Sequence, residues 1–334
     1  MSVIVPVHNR SGELRLLLEA MSRQMLSPAE FEVLVCDDGS TEDLGAVVAL
    51  AVQAHGLSVR LLRQEWAGPA SARNLGLAQA RGTIIASIDS DCVPEPGWLM
   101  AYQNAFDDPS AGLAGGPLGY RAARHLSGRC VGFLMASTLG AAGATDPRRG
   151  PSMEYHPCAG NMAVRRELAL AVGGFPDMPY NEDTEFAAAI QRLGVRASFV
   201  PEAAVLHDER SDLIRALREN FLKGTCRVRR ARGFSPRRLI PALPAVLVLY
   251  LVALGTSPWL GLSPTSWISL PLAIYLAVLG LLAIQGGLAL GEPRAALAVP
   301  AYALAMHLGY GCGYLAARFG LSSFLPKRWS HDDR

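Results

Sequence analysis

The sequence predicts an α/β protein: a mostly parallel sheet with flanking helices, followed by transmembrane helices at the C-terminal end. Three observations carry that expectation. Short β-branched runs alternate with helical patterns from the first residue, as βαβ units do. Acidic residues recur where those runs end. No Asp, Glu, Lys or Arg occurs from Leu239 to Gly291, although charged residues make up 18% of the 334-residue chain.

The elements follow in order. "SVIVPV" (2–7) is the first strand, and Leu14, Leu17, Leu18 and Met21 give the next helix an apolar face at the 3.6-residue period. "FEVLVC" (31–36) is the second strand, "EDLGAVVALAVQAHG" (42–56) a helix stopped by Gly56, and "SVRLL" (58–62) the third strand. A helix over "GPASARNLGLAQA" leads into the buried run "TIIASI" (83–88). "PGWLMAYQNAFDD" is helical, "AGLAGGPLG" (111–119) a further strand, and "HPCAGNMAVRRE" (156–167) a strand running into the helix "ELALAVGGF". Residues 118–156 between them read as a loop. "NEDTEFAAAIQRLG" is a capped helix, and "ASFVPEAAVLH" (197–207) the last strand of the soluble part.

A spanning helix needs about 20 apolar residues. The uncharged stretch, broken by "GTSPWLGLSPTSW", therefore reads as a hairpin over about 239–257 and 268–290. A third apolar segment, about 295–317, contains Pro300, His307 and "GYGCGY" and either spans or is re-entrant. Residues 215–238 carry nine Lys/Arg against one Glu, although the chain as a whole has a net charge of only +2. By the positive-inside rule this block keeps the preceding domain cytoplasmic. It lies beside a membrane segment, so lipid headgroups are its expected partner and nucleic acid is not. The expected organisation is a cytosolic domain over 1–210, a basic amphipathic interfacial segment over 211–238 and a membrane domain over 239–320. The six cysteines form no CxxC pair and no zinc spacing, which fits unbridged thiols in a reduced compartment. With no signal-peptide pattern at Met1–Val7, the expected location is the cell inner membrane, multi-pass, with the N-terminal domain in the cytoplasm.

Open α/β sheets bind ligands at the carboxyl ends of their strands. "VLVCDDGS" puts Asp37 and Asp38 past the second strand, and "SIDSD" puts Asp89 and Asp91 past the fourth. In extended chain, residues two apart share a face, so Asp89 and Asp91 can enter one crevice. Two carboxylates that close oppose each other's ionisation unless a cation or donors stabilise them. A divalent ion that also carries phosphate oxygens meets that need, and hard oxygen ligands suit Mg²⁺ or Mn²⁺. The competing explanation is turn and helix-cap chemistry, which Asp favours and which would suffice for "DDGS" alone.

In their order, "VIVPVHNR", "VLVCDDGSTED", "GPASARNLGL", "DSD", "CAGNMAVRRE", "GGF" and "NEDTEF" resemble the family 2 glycosyltransferases with a GT-A, Rossmann-like fold, over roughly residues 2 to 207. That resemblance implies a set of roles. Pro6 and Asn9 would line the base pocket, Asp37 or Asp38 would bond uracil or ribose, and Arg73 would approach the base or phosphates. Asp89 would meet ribose or metal, Asp91 the metal, and His207 would complete the metal or diphosphate contacts. Gly160 and Asn161 would shape the sugar and acceptor pocket. Asp183, eight residues after "GGF" and with Glu182 beside it, would be the general base. Helix N-terminal stabilisation is the plainer account of those two acids. Displacement at the anomeric carbon implies inversion. The Q-x-x-R-W element of processive synthases has no counterpart in "LRENFLKGTCRV", which implies one sugar per acceptor.

Combined with the C-terminal membrane segments, the chain looks like enzymes that extend lipid-linked oligosaccharides in bacterial exopolysaccharide assembly, including succinoglycan-type glucosyltransferases. The implied reaction moves one sugar from a nucleotide donor, UDP-linked, to a polyprenyl-linked saccharide. Two alternatives stand beside it: transfer to polyprenyl phosphate itself, as in dolichol-phosphate-mannose-type synthases, and a non-catalytic nucleotide-sugar-binding membrane anchor.

Overall fold

The computed structural model describes residues 1–119, 125–141, 155–178, 180–207, 212–230, 242–260 and 266–321. In chain order the first stretch runs β1 (Ser2–Val7), α1 (Ser11–Met21), β2 (Glu32–Asp38), α2 (Leu44–His55), β3 (Val59–Gln64), α3 (Pro69–Gln79), β4 (Ile84–Ile88), β5 (Cys92–Pro94), α4 (Trp98–Ala105), β6 (Leu113–Gly115) and β7 (Leu118–Gly119). Two helices follow, α5 (Leu126–Ala136) and α6 (Thr138–Ala141). Then come β8 (Asn161–Arg165), α7 (Arg166–Ala171), α8 (Glu182–Gln191), β9 (Ala197–Phe199) and β10 (Val205–His207). The remaining helices are α9 (Leu213–Arg230), α10 (Leu243–Thr256), α11 (Ser266–Leu290) and α12 (Ala295–Arg318). These elements divide into two compact units, one holding β1–β7 and β8–β10 with α1–α4, α7 and α8, the other holding α5, α6 and α9–α12.

In the first unit a seven-stranded sheet has the order β3-β2-β1-β4-β8-β6-β9, and β8 alone runs antiparallel to its neighbours. Every residue of β1 and β2 is buried, as expected of parallel strands covered on both faces. Helix α1 buries Leu14, Leu17, Leu18 and Met21, the stripe read from the sequence. Helix α2 starts at Asp43, whose carboxylate accepts from Ala46 N at 3.1 Å. It stops at Gly56, where φ is +64° and only glycine is unstrained.

The decisive feature of the sheet is where β1 and β4 part. Their pairing ends at Ile4↔Ser87, whereas β1 pairs β2 as far as Val7↔Asp37. With β2 on one side and β4 on the other, this is a topological switch point, where open α/β sheets form a crevice. Pro6 lies beyond the last β1–β4 pair, so its missing N–H costs no ladder bond on that side.

Two expected strands are each divided. "AGLAGGPLG" forms β6 and β7 in different sheets, because Gly116 and Pro117 break the run. "ASFVPEAAVLH" forms β9 and β10, because Pro201 begins a turn closed by Ala203 N donating to Val200 O at 3.1 Å. The released pieces β7 and β10 pair with each other, and β10 also pairs with β5, which the sequence did not announce, in a small sheet ordered β5-β10-β7.

The second unit includes α5 and α6, which fall within the stretch expected as loop. Cys130 and Leu134 on α5 are fully buried, and Arg129 pairs with Glu292 in the α11–α12 turn. Residues 120–124 and 142–154 of that expected loop lie outside the described residues. His307 on α12 has both ring nitrogens engaged: Nε2 donates to Gly140 O at 3.1 Å, and Nδ1 accepts from the Tyr275 hydroxyl at 3.0 Å.

Helices α9 and α12 meet backbone to backbone. A Cβ on Gly313 would lie 1.9 Å from Phe221 O, one on Gly309 2.2 Å from Leu217 O, and one on Gly224 2.2 Å from Tyr310 O. Small residues at a crossing permit that approach. Ser269–Leu290 and Ala295–Arg318 are each long and apolar enough to cross a membrane. Helix α12 is continuous through Pro300. The first arm of the expected hairpin is seen as the 14-residue α10, with 239–241 outside the described residues. Of the basic segment, 212–230 is described, almost entirely as α9, and 231–238 lies outside the described residues.

Candidate active site at the strand ends

Several chain segments converge on the carboxyl edge of the sheet: the residues after β1 and β4, the start of β8, the first turn of α8 and the end of β10. The antiparallel direction of β8 brings its first residues to the edge that the parallel strands reach with their last. Gly160 sits against Asp89 so closely that a Cβ there would lie 2.8 Å from Asp89 Oδ2.

Asp89 and Asp91 have different surroundings. Asp89 Oδ1 accepts from Arg73 Nη2 at 2.7 Å, while a third of its side chain remains exposed. The Arg73 guanidinium is buried, donates through Nη1 to Glu182 at 2.8 Å, and lies over the Phe175 ring at 5.5 Å. Thus Arg73 engages two acids of the site. Asp91 pairs through Oδ2 with Arg10, and its buried Oδ1 has no hydrogen bond, the His207 Nε2 standing 3.5 Å away. Burial alone would push the Asp91 carboxyl up, but His207 and Arg10 outweigh it and hold Asp91 well below the usual carboxylate range.

The acids at the start of α8 are also distinct from each other. Burial, reinforced by the charge of Asp183 and opposed by Arg73, pushes Glu182 up to about 7. Asp183 accepts from Ala159 N at 3.3 Å through Oδ2 and from Thr184 N at 2.6 Å through Oδ1. It is thereby tied to the turn that carries Gly160. Asn181, just before the helix, has φ +61° in the left-handed region that Asn tolerates.

Several residues expected to touch ligand make hydrogen bonds within the protein. Asn161 is 1% exposed and its amide is fully used. Its Oδ1 accepts from Trp98 Nε1 at 2.8 Å and the Tyr102 hydroxyl at 2.6 Å, and its Nδ2 donates to Pro117 O at 3.1 Å and Ala203 O at 2.8 Å. No donor or acceptor remains for a sugar. Asn9, at φ +49°, accepts from Thr41 N at 2.8 Å and holds the 40–42 turn. Asp37 accepts from Ser40 N at 2.8 Å as a turn-former. Asp38 accepts from Gln64 Nε2, Ala67 N and Gly68 N, each within 2.8 Å, and so fixes the entry to α3. The side chains of "DDGS" thus make turn and helix-entry hydrogen bonds, and Pro6 is buried in β1.

Among the described residues, Asp91, Cys92 and His207 bring potential ligand atoms within 4.8 Å of one another. Burial raises the Cys92 thiol well above its usual value, so it stays protonated in the core. Asp91 and His207, with Asp89 beside them, are an oxygen and imidazole set, and the orphaned Asp91 Oδ1 is an acceptor in need of a cation. Those residues fit Mg²⁺ or Mn²⁺. Sequence reasoning passed over Arg10, although its place directly after β1 puts it across the switch point from "DSD". It also passed over Phe175, the ring beneath Arg73, which was visible only as part of "GGF".

Residues 2–170 match the family described as Glycosyl transferase family 2. The chain belongs to that family. Among curated relatives, the glycosyltransferase AglE of Haloferax volcanii is 32% identical over 115 residues, 34% of this chain and 38% of its own. The pre-mycofactocin glycosyltransferase of Mycobacterium tuberculosis is 29% identical over 229 residues, 64% of this chain and 43% of its own. The family 2 chain therefore spans well under half the length of these relatives. Among solved structures, a mannosyltransferase from Pyrobaculum calidifontis in complex with GDP-Man and Mn²⁺ has a TM-score of 0.57 at 24% identity, covering 96% of this chain and 87% of that one. TarS 1–349 from S. aureus in complex with UDP-GlcNAc has a TM-score of 0.51 at 19% identity, covering 96% and 91%. Both likenesses are of fold, and the fold is GT-A.

Proposed function

We propose that this chain is an inverting glycosyltransferase that moves a single sugar from a nucleotide sugar, UDP-linked, to a polyprenyl-linked saccharide at the cytoplasmic face of the cell inner membrane, in cell-surface polysaccharide synthesis. The observation that carries the reading is the meeting of Asp89 and Asp91 at the switch point with Gly160 and the first turn of α8. One crevice then holds a cation-demanding diphosphate side and an acidic acceptor side.

Asp183 takes the proton of the acceptor hydroxyl as its oxygen bonds the anomeric carbon, and the bond from that carbon to the diphosphate oxygen breaks, releasing nucleoside diphosphate. Attack opposite the leaving group inverts the centre. Arg73, locked between Asp89 and Glu182, fixes the distance between donor and acceptor sides. Asp91, His207 and Asp89 would hold Mg²⁺ or Mn²⁺, which when bound neutralises the charge growing on the leaving diphosphate. The P. calidifontis mannosyltransferase, solved with GDP-Man and Mn²⁺, supports that choice. Asn161 acts at one remove, holding the β8 turn. Helices α11 and α12 are read as membrane spans, and the basic face of α9 as lying on anionic headgroups at about 1 kcal/mol per basic residue near the surface.

The test is transfer from radiolabelled UDP-sugars to membrane lipid extract, with and without chelator. Labelled product that disappears on chelation and with Asp183→Asn supports the reading. Full transfer by Asp183→Asn, or label only on bare polyprenyl phosphate, overturns it.

A further inference from the structure

Asp89 and Asp91, the two carboxylates past β4, each pair with a guanidinium, and the two guanidiniums are held very differently. Arg73 is buried, serves two acids and lies over a ring, so it cannot leave Asp89 without stranding charge. Among the described residues Arg10 forms its ion pair with Asp91, and 35% of its side chain is exposed. Its backbone is anchored independently, since Arg10 O accepts the first helical hydrogen bond of α1 from Leu14 N at 2.9 Å. Rotation of the side chain alone would release Asp91 to solvent and ligand.

We propose that Arg10 is a built-in counter-ion that occupies the charge position of the divalent cation on Asp91, so that the guanidinium and the metal exclude each other. The inference rests on the metal reading of Asp91 and adds a residue that the reading does not contain. Asp91 is 13% exposed and stands 3.5 Å from His207 Nε2, and a carboxylate so buried is costly without a full counter-charge. Arg10, with His207, offsets that cost before the donor arrives. When metal and diphosphate enter together, the ion takes Asp91, and the released guanidinium, still beside the crevice, meets the anion. The consequence is that metal alone binds weakly, because it must break an ion pair, and metal with nucleoside diphosphate binds well, because the displaced arginine gains a new partner. The arginine thus makes the site demand both ligands together.

Mn²⁺ binding to the full-length protein in detergent, followed by electron paramagnetic resonance without nucleotide, tests the exclusion directly. Arg10→Met keeps the apolar stem and removes the charge; it is expected to bind Mn²⁺ about tenfold more tightly than the unchanged protein, the equivalent of one charge-assisted hydrogen bond. Arg10→Lys should fall between the two. A second readout is the melting temperature: Arg10→Met should lose stability in chelator and recover it on adding Mn²⁺, while the unchanged protein should respond little. Addition of UDP should tighten Mn²⁺ more in the unchanged protein than in Arg10→Met. Equal or weaker Mn²⁺ binding by Arg10→Met, with binding still abolished by Asp91→Asn, overturns the counter-ion role and leaves the metal reading standing. Absence of Mn²⁺ binding in every variant, with and without UDP, overturns both.

Discussion

Replacement of Asn161 by alanine separates a structural amide from a sugar-binding one. The side chain makes four hydrogen bonds, joining β8 to α4 through Trp98 and Tyr102 and to the turns at Pro117 and Ala203. Pro117 O keeps a partner after the substitution, since it also accepts from Val205 N at 3.1 Å. Ala203 O loses its partner, and Trp98 Nε1 and the Tyr102 O–H lose their shared acceptor in a fully buried setting, although the Tyr102 oxygen keeps its contacts with Trp98 and the Gly116 backbone. Each stranded buried group costs about 1–3 kcal/mol, and water entering the space relieves part of that, which gives about 3–5 kcal/mol. For a unit of this size the apparent Tm should fall by roughly 10 °C. The assay is thermal unfolding of the detergent-solubilised protein, with donor binding measured below the transition. An unchanged Tm with weakened donor binding would refute the argument and return Asn161 to the sugar pocket.

Other outcomes follow from the same geometry. Arg73→Met should lower stability by about 3 kcal/mol, the lower end for a broken buried pair because Asp89 is partly exposed, and should abolish transfer; thermal unfolding and product counting check it. Glu182 gives a pH dependence: between its ordinary 4.5 and about 7 the folded protein holds a proton that the unfolded chain has released, so stability should fall as pH rises through that window. Melting curves of the unchanged protein and Glu182→Gln across that range test this, the variant losing the slope. Gly313→Val should break the α9–α12 crossing and lower the Tm, whereas Gly280→Val on α11, whose added Cβ meets nothing within 4 Å, should be neutral.

The sheet was legible because its strands are short, apolar and separated by helices with a clean period, so β1, β2 and β4 stand within a residue or two of their expected positions. Strand ends near Gly116, Pro117 and Pro201 were less legible, since one apolar run can serve two sheets and only tertiary pairing decides. Helix α5 was missed because "LSGRCVGFLMA", apolar but for Ser127 and Arg129, shows no broad polar face and acquires meaning from what it packs on, and α6 because four residues are too few to show a period. In the site, the positions of the acids were readable from the strand ends, but the partners were not. Nothing in "DDGS" or "CAGN" distinguishes a carboxylate or amide aimed at a ligand from one consumed by nearby backbone groups. That distinction arises only when residues 26 to 30 positions apart, such as Asp38 with Gln64 and Gly68, come together.

Strand β8 is the one member of the main sheet that travels against its neighbours, and this makes the order glycine, then asparagine, dependent on alignment. Side chains alternate faces along a strand, so sliding β8 by a single position against β4 would swing the bulky amide towards Asp89 and pull its four-way anchor out of the interior. Lengthening or shortening the chain between 158 and 165 should therefore be far less tolerable than the same change in the exposed turn at 107–110, where no ladder has to be kept in step.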